Sequence, residues 1–118
     1  MSGYVSVSTR TDGDHLLVSV DGDLELATRG WFASAVADAM TDETKVIEVD
    51  VGAVELCDSS GLAALVGLHR AAAVEGKHLY ISHCARGLER LLRVTGLLYL
   101  TSPEPQADAT PDGKKDSG

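Results

Sequence analysis

The chain is short of aromatic residues, with one Phe, one Trp and three Tyr among its 118 residues. Its core must come from Val, Leu, Ile and Ala, so aliphatic periodicity carries the structural reading. Cysteine is equally scarce. Cys57 and Cys84 form no CxxC pair and no disulfide framework. Both read as small buried hydrophobes, although a thiol just ahead of a helix start, as at Cys57, can have a depressed pKa. The four histidines, His15, His69, His78 and His83, lack zinc-ligand spacing, so no metal is expected. There is no glycine-rich phosphate loop, and no cofactor is expected. Positive charge is sparse: 10 Lys and Arg against 18 Asp and Glu leave a net charge of −8. That argues against nucleic acid, whose affinity rests on Lys and Arg, and against anionic lipid. It points to a partner with a basic or apolar face. No apolar run is long enough to span a bilayer, and no basic, hydrophobic leader opens the chain. A cytoplasmic protein that does not engage membranes is therefore expected. Its length predicts one domain with one modest core.

What is present alternates. Residues 4–9 and 15–20 are β-branched runs separated by Thr11-Asp12-Gly13-Asp14, which predicts an opening hairpin. Thr28 can cap a helix over 29–40, with Phe32, Ala35, Val36 and Ala39 on one stripe and Trp31 at its rim. Residues 45–51 form a third strand, and 60–75 a helix closed by Gly76. In that helix Leu62, Leu65, Val66 and Ala73 share one side. Ser60, Ala64, Gly67 and Ala71 form a small-residue side opposite, and Leu68 fits neither. Gly67 costs about 1 kcal/mol against alanine inside a helix; close approach of another surface explains it, as does tight packing within the domain. A fourth strand over 78–82, a helix over 85–94 and a short last strand over 97–100 complete the order β β α β α β α β. Arg86, Arg90 and Arg93 line the outer side of the last helix, either as a solvated face or as a seat for an acidic loop. The fold class is α/β: a mixed sheet with an N-terminal hairpin and helices mainly on one face. Residues 1–101 form the domain, and 102–118, nearly devoid of apolar side chains, read as a disordered tail.

The chain is organised around Asp58-Ser59-Ser60-Gly61-Leu62, where a loop gives way to an apolar helix. Asp, Ser and Gly suit a helix start because they accommodate its orphan N–H groups. The segment serves as an ordinary cap. It also exposes a hydroxyl at the positive end of a helix dipole, where a phosphate would meet amide donors.

Asp58-Ser59-Ser60-Gly61-Leu62 resembles the signature of the STAS-domain anti-sigma factor antagonists. Gly22-Asp23-Leu24-Glu25-Leu26-Ala27-Thr28 is similar to that family's segment after strand two, with Glu25 where an aspartate is usual. Leu91-Leu92-Arg93-Val94-Thr95-Gly96-Leu97 is similar to its closing helix. The resemblance spans residues 4–100. It implies a STAS fold and a phosphorylation-controlled switch with no catalysis of its own. Unphosphorylated, the protein would sequester an anti-sigma factor serine kinase; modified at Ser59, it would release it; a serine phosphatase would reverse the change. The loops 23–28 and 58–61 should meet at one end of the sheet. Asp23, Glu25, Thr28, Asp58, Ser60, Gly61, Ala64 and Gly67 are the expected partner contacts. A second reading is a non-switching STAS scaffold in a transporter or stress complex. A third, an enzyme with Ser59 or Ser60 as nucleophile, lacks the Gly-x-Ser-x-Gly elbow and needs His69 or His83 to approach in space.

Overall fold

The structure, a computed structural model, describes residues 4–105. β1 (Val5–Asp12) and β2 (His15–Leu24) form the antiparallel hairpin, turning at Gly13 with φ +64°. α1 (Arg29–Ala39), β3 (Val46–Cys57), α2 (Ser59–Val74), β4 (His78–Cys84) and α3 (Arg86–Val94) follow. The strand order is β1-β2-β3-β4, with β3 parallel to both β2 and β4. The sheet is mixed, as the order of elements predicted.

Alternation along the strands decides where the helices lie. Leu16, Val18, Val20 and Leu24 of β2, Ile47, Val49 and Val51 of β3, and Leu79 and Ile81 of β4 are buried. Their odd-and-even partners, Ser19, Asp21, Glu48, Asp50 and Tyr80, are exposed or half-buried. Side chains change face at every residue of a strand, so one face carries the core and the other is open. Phe32 and Val36 of α1, Leu62, Leu65 and Ala72 of α2, and Leu88 and Leu92 of α3 close that core.

Several sequence expectations change at the level of packing. The final strand over 97–100 is a 3-10 turn, Leu98–Thr101. Gly96, at φ +76°, ends α3 in a Schellman closure, with the Leu97 amide donating to the Leu92 carbonyl at 2.8 Å. That bond commits Leu97 before it can enter a ladder, and Leu100 is buried without one. β3 runs six residues beyond the expected Val51 because register shifts against β2 let pairing continue through Gly52 and Ala53. β2 continues past Val20 in the same way. On α2 the buried residue is Ala72, while Ala73 is exposed, and Leu68 packs half-buried against the core. On α1, Ala35 and Ala39 are half-buried, and Trp31 is 75% exposed and so forms no core rim. At the expected domain boundary, Ser102 is half-buried and its carbonyl lies 2.8 Å from His78 Nε2. The predicted disorder of the tail from 106 onward falls outside the described residues.

Candidate functional site

The site is built where β2 and β3 end side by side. Their register pairs Leu24 with Cys57, so the loop after β2 and the start of α2 are neighbours by construction. The Asp58 amide donates to the Leu24 carbonyl at 3.3 Å. The Asp58 carboxylate turns back and accepts from the Gly61 amide at 2.9 Å, which makes it the N-cap of α2. Gly61 is buried against Leu24; a Cβ there would lie 2.7 Å from the Leu24 carbonyl carbon and closer still to its oxygen. Only glycine lets helix and loop approach this closely.

Thr28 organises the loop. It is 4% exposed. Its hydroxyl donates to the Asp23 carbonyl at 2.7 Å and accepts from the Glu25 amide at 3.0 Å. The Glu25 carbonyl takes the amides of Thr28 and Arg29, which starts α1. Thr28 and Gly61, both expected partner contacts, are thus buried residues that shape the surface. Asp23, near the end of β2, and Glu25, on that loop, are half-exposed.

Ser59 is the first residue of α2 and is exposed. Among the described residues nothing hydrogen-bonds its hydroxyl. Ser60 is half-buried, so of the two hydroxyls Ser59 is the one presented to solvent. A groove of about 420 Å³ leads from Ser59 along α2 past Ala63, Val66 and Gly67 to Arg70, with Leu97 on the opposite side. Ala64 is half-buried against the core, and Ala63 takes the place in the groove that sequence periodicity assigned to it. Gly67 is exposed with nothing within 4 Å of a Cβ position, so intramolecular packing does not account for it. Counting from Ser59 by three, four, seven and eleven residues reaches Leu62, Ala63, Val66 and Arg70; that helical period was the available signal for Arg70. Leu26 and Leu56, 64% and 50% exposed, add apolar surface at this end of the sheet.

The two histidines considered as activators of Ser59 make their contacts elsewhere. His69 lies ten residues along α2, about 15 Å of helix rise. Instead it meets His78 and Tyr99 edge-on, with ring centroids 5.9 and 5.4 Å away. His83 lies 3.7 Å from Asp50 at the other end of β4. Burial, then the adjacent Asp58 charge, push the Cys57 thiol up to about 11, opposite to the activation a helix start can give. Burial also raises the Cys84 thiol, helped by Glu89. No group of three or more His, Cys, Asp or Glu among the described residues could hold a metal ion.

The family described as Mlab, STAS domain matches residues 7–101, and the chain belongs to the STAS-domain family. It is 30% identical over 93 residues to the anti-sigma-B factor antagonist of Staphylococcus aureus, covering 79% of this chain and 86% of that one. The Staphylococcus epidermidis protein of the same name is 29% identical over the same span. Among solved structures, an anti-sigma factor antagonist from Mycobacterium paratuberculosis shares the fold with a TM-score of 0.72 at 21% identity, covering 89% of both chains. The antagonist SpoIIAA in its unphosphorylated form superposes with a TM-score of 0.70 at 12% identity, over 88% of this chain and 92% of that one.

Proposed function

We propose that this protein is an anti-sigma factor antagonist that works as a phosphorylation-controlled binding switch. Unmodified, it binds an anti-sigma factor of the serine-kinase type; phosphorylated at Ser59, it lets go; a serine phosphatase restores it. The protein is the substrate in this cycle and acts in the cytoplasm. The observation that carries the reading is the exposed, unengaged Ser59 hydroxyl at the start of α2, at the head of an apolar groove.

Phosphate would add about −1.5 to −2 charges at neutral pH. It would arrive beside Asp58, whose carboxylate already occupies the Gly61 amide, with Asp23 and Glu25 on the adjoining loop. The open solvent and helix dipole tolerate that charge in the free protein. A partner seated on the groove would have to bury it, and an unpaired buried charge costs several kcal/mol. Every 1.4 kcal/mol is tenfold in affinity, so release follows.

The test is affinity for the cognate anti-sigma factor, with phosphosite mass spectrometry of the protein after incubation with ATP. Ser59→Ala should bind like wild type and take no phosphate. Ser59→Asp should bind roughly tenfold more weakly or worse. Ser59→Asp binding as tightly as wild type would refute electrostatic release. Absence of phosphoserine with binding intact would leave a non-switching scaffold.

A further inference from the structure

β3 outruns β4. The parallel ladder between them ends at Val51 opposite Cys84, and the chain then turns through Ala85 into α3. β3 continues to Cys57, paired on its other side with β2, from Ala53 opposite Asp21 to Cys57 opposite Leu24. Over residues 52–57 β3 is therefore an edge strand among the described residues. Edge strands are blunted by Lys, Pro, other charges or bulges; this one has no Lys or Pro and is bulged against β2. Its one charged residue, Glu55, is the extra residue where the register steps from Val54 to Leu56.

A cleft of about 260 Å³ lies beside this edge, between residues 54–57 of β3, Glu55 among them, and Ala85, Gly87 and Leu91 of α3. It is smaller than the roughly 300–1,000 Å³ of small-molecule sites, but it suits one or two aliphatic side chains. The sheet face away from the helices is acidic. Strand alternation puts Asp21, Asp23, Glu48 and Asp50 on it, and Arg10 is the one Lys or Arg in the four strands. An added strand would lie about 4.8 Å beyond β3, with alternate side chains facing the cleft and the acidic face.

We propose that the free edge of β3 over residues 52–57 is a docking site for an extended partner segment in which aliphatic and basic residues alternate. The segment adds to the sheet as a strand. Its backbone pairs with the open edge, its aliphatic side chains enter the cleft, and its basic side chains lie on the acidic face beside Asp50. This mode of recognition takes affinity from main-chain hydrogen bonds and specificity from alternate side chains. It does not depend on the modification state of Ser59.

The full chain, ¹⁵N-labelled, is titrated with acetyl-Val-Lys-Val-Lys-Val-amide and with the same peptide N-methylated at alternate amides. The expected result is shifted resonances and slowed amide exchange centred on residues 52–57, with further shifts over 85–91. The N-methylated peptide should bind at least tenfold more weakly. Gly87→Trp and the smaller Gly87→Leu should weaken binding without lowering the melting temperature, since nothing lies within 4 Å of a Cβ at Gly87. The proposal is overturned if millimolar peptide shifts no resonance at the edge. It is overturned equally if shifts are confined to the acidic face and the N-methylated peptide binds as well as its parent, because that is attraction by charge alone.

Discussion

The same substitution, glycine to alanine, should act with opposite sign at two positions six residues apart on α2. Inside a helix the change normally stabilises by about 1 kcal/mol, because glycine loses more backbone entropy on folding. Gly67 meets that condition: it is exposed and has no neighbour within 4 Å of a Cβ. Gly67→Ala should therefore gain about 1 kcal/mol. At Gly61 the added methyl would sit 2.7 Å from the Leu24 carbonyl carbon and 3.0 Å from Leu24 Cγ. The obstacle is backbone of a residue that is 0% exposed, so it cannot swing aside. Overpacking of this kind costs typically 1–3 kcal/mol, and the rigid obstacle puts Gly61 near about 3. Subtracting the helix gain leaves Gly61→Ala less stable by about 2 kcal/mol. Urea denaturation reads this directly: at a slope of about 1–2 kcal/mol per M, the midpoint falls by roughly 1–2 M for Gly61→Ala and rises by about 0.5–1 M for Gly67→Ala. If both midpoints move in the same direction, the contact between α2 and the end of β2 is not what makes Gly61 necessary. Gly67→Ala carries a second reading, since a more stable domain that binds the proposed anti-sigma factor partner less tightly locates that partner on the groove.

Two further outcomes follow from buried polar groups. Thr28→Val keeps the shape of the side chain but strands the Glu25 amide and the Asp23 carbonyl, and should cost about 1–3 kcal/mol in urea unfolding, with Thr28→Ser recovering most of it; a neutral Thr28→Val would mean the loop holds itself without that hydroxyl. His69 has its pKa lowered from 6.5 by burial, then by His78 and Arg70, while the facing rings of Tyr99 and His78 offer no carboxylate. The unfolded chain thus takes up this proton at higher pH than the folded one. Stability should be full above the ordinary imidazole value, decline as pH falls through it, and level off below the lowered folded value. Thermal melting from pH 7.5 to 5 should show that decline shrinking in His69→Phe, and an unchanged profile would show that His69 contributes nothing to it.

How much was legible in the sequence differs from element to element. The hairpin was visible because Asp12-Gly13-Asp14 interrupts two β-branched runs, and α1 because Phe32 and Val36 lie one helical turn apart. The last strand was misread because Leu97-Leu98-Tyr99-Leu100 has strand composition, while the Schellman closure that captures the Leu97 amide depends on α3 ending where it does. Trp31 was misjudged for a related reason: helical period places it beside the core stripe, and only the packing of α1 on the sheet leaves it outside. Ala63 and Arg70 were missed because α2 is so evenly apolar that its sequence does not say which side faces the sheet.

The sequence by itself determined the order of the first four strands and the three helices, the helix start at Asp58-Ser59 and the acidity of the whole, because local hydrogen bonding, side-chain period and charge are properties of neighbours along the chain. Tertiary structure alone decided which hydroxyl stands free, which glycine is pinned and where β3 loses its neighbour on one side. Those depend on Leu24 meeting Gly61 and on β4 ending opposite Val51, contacts between segments far apart in sequence.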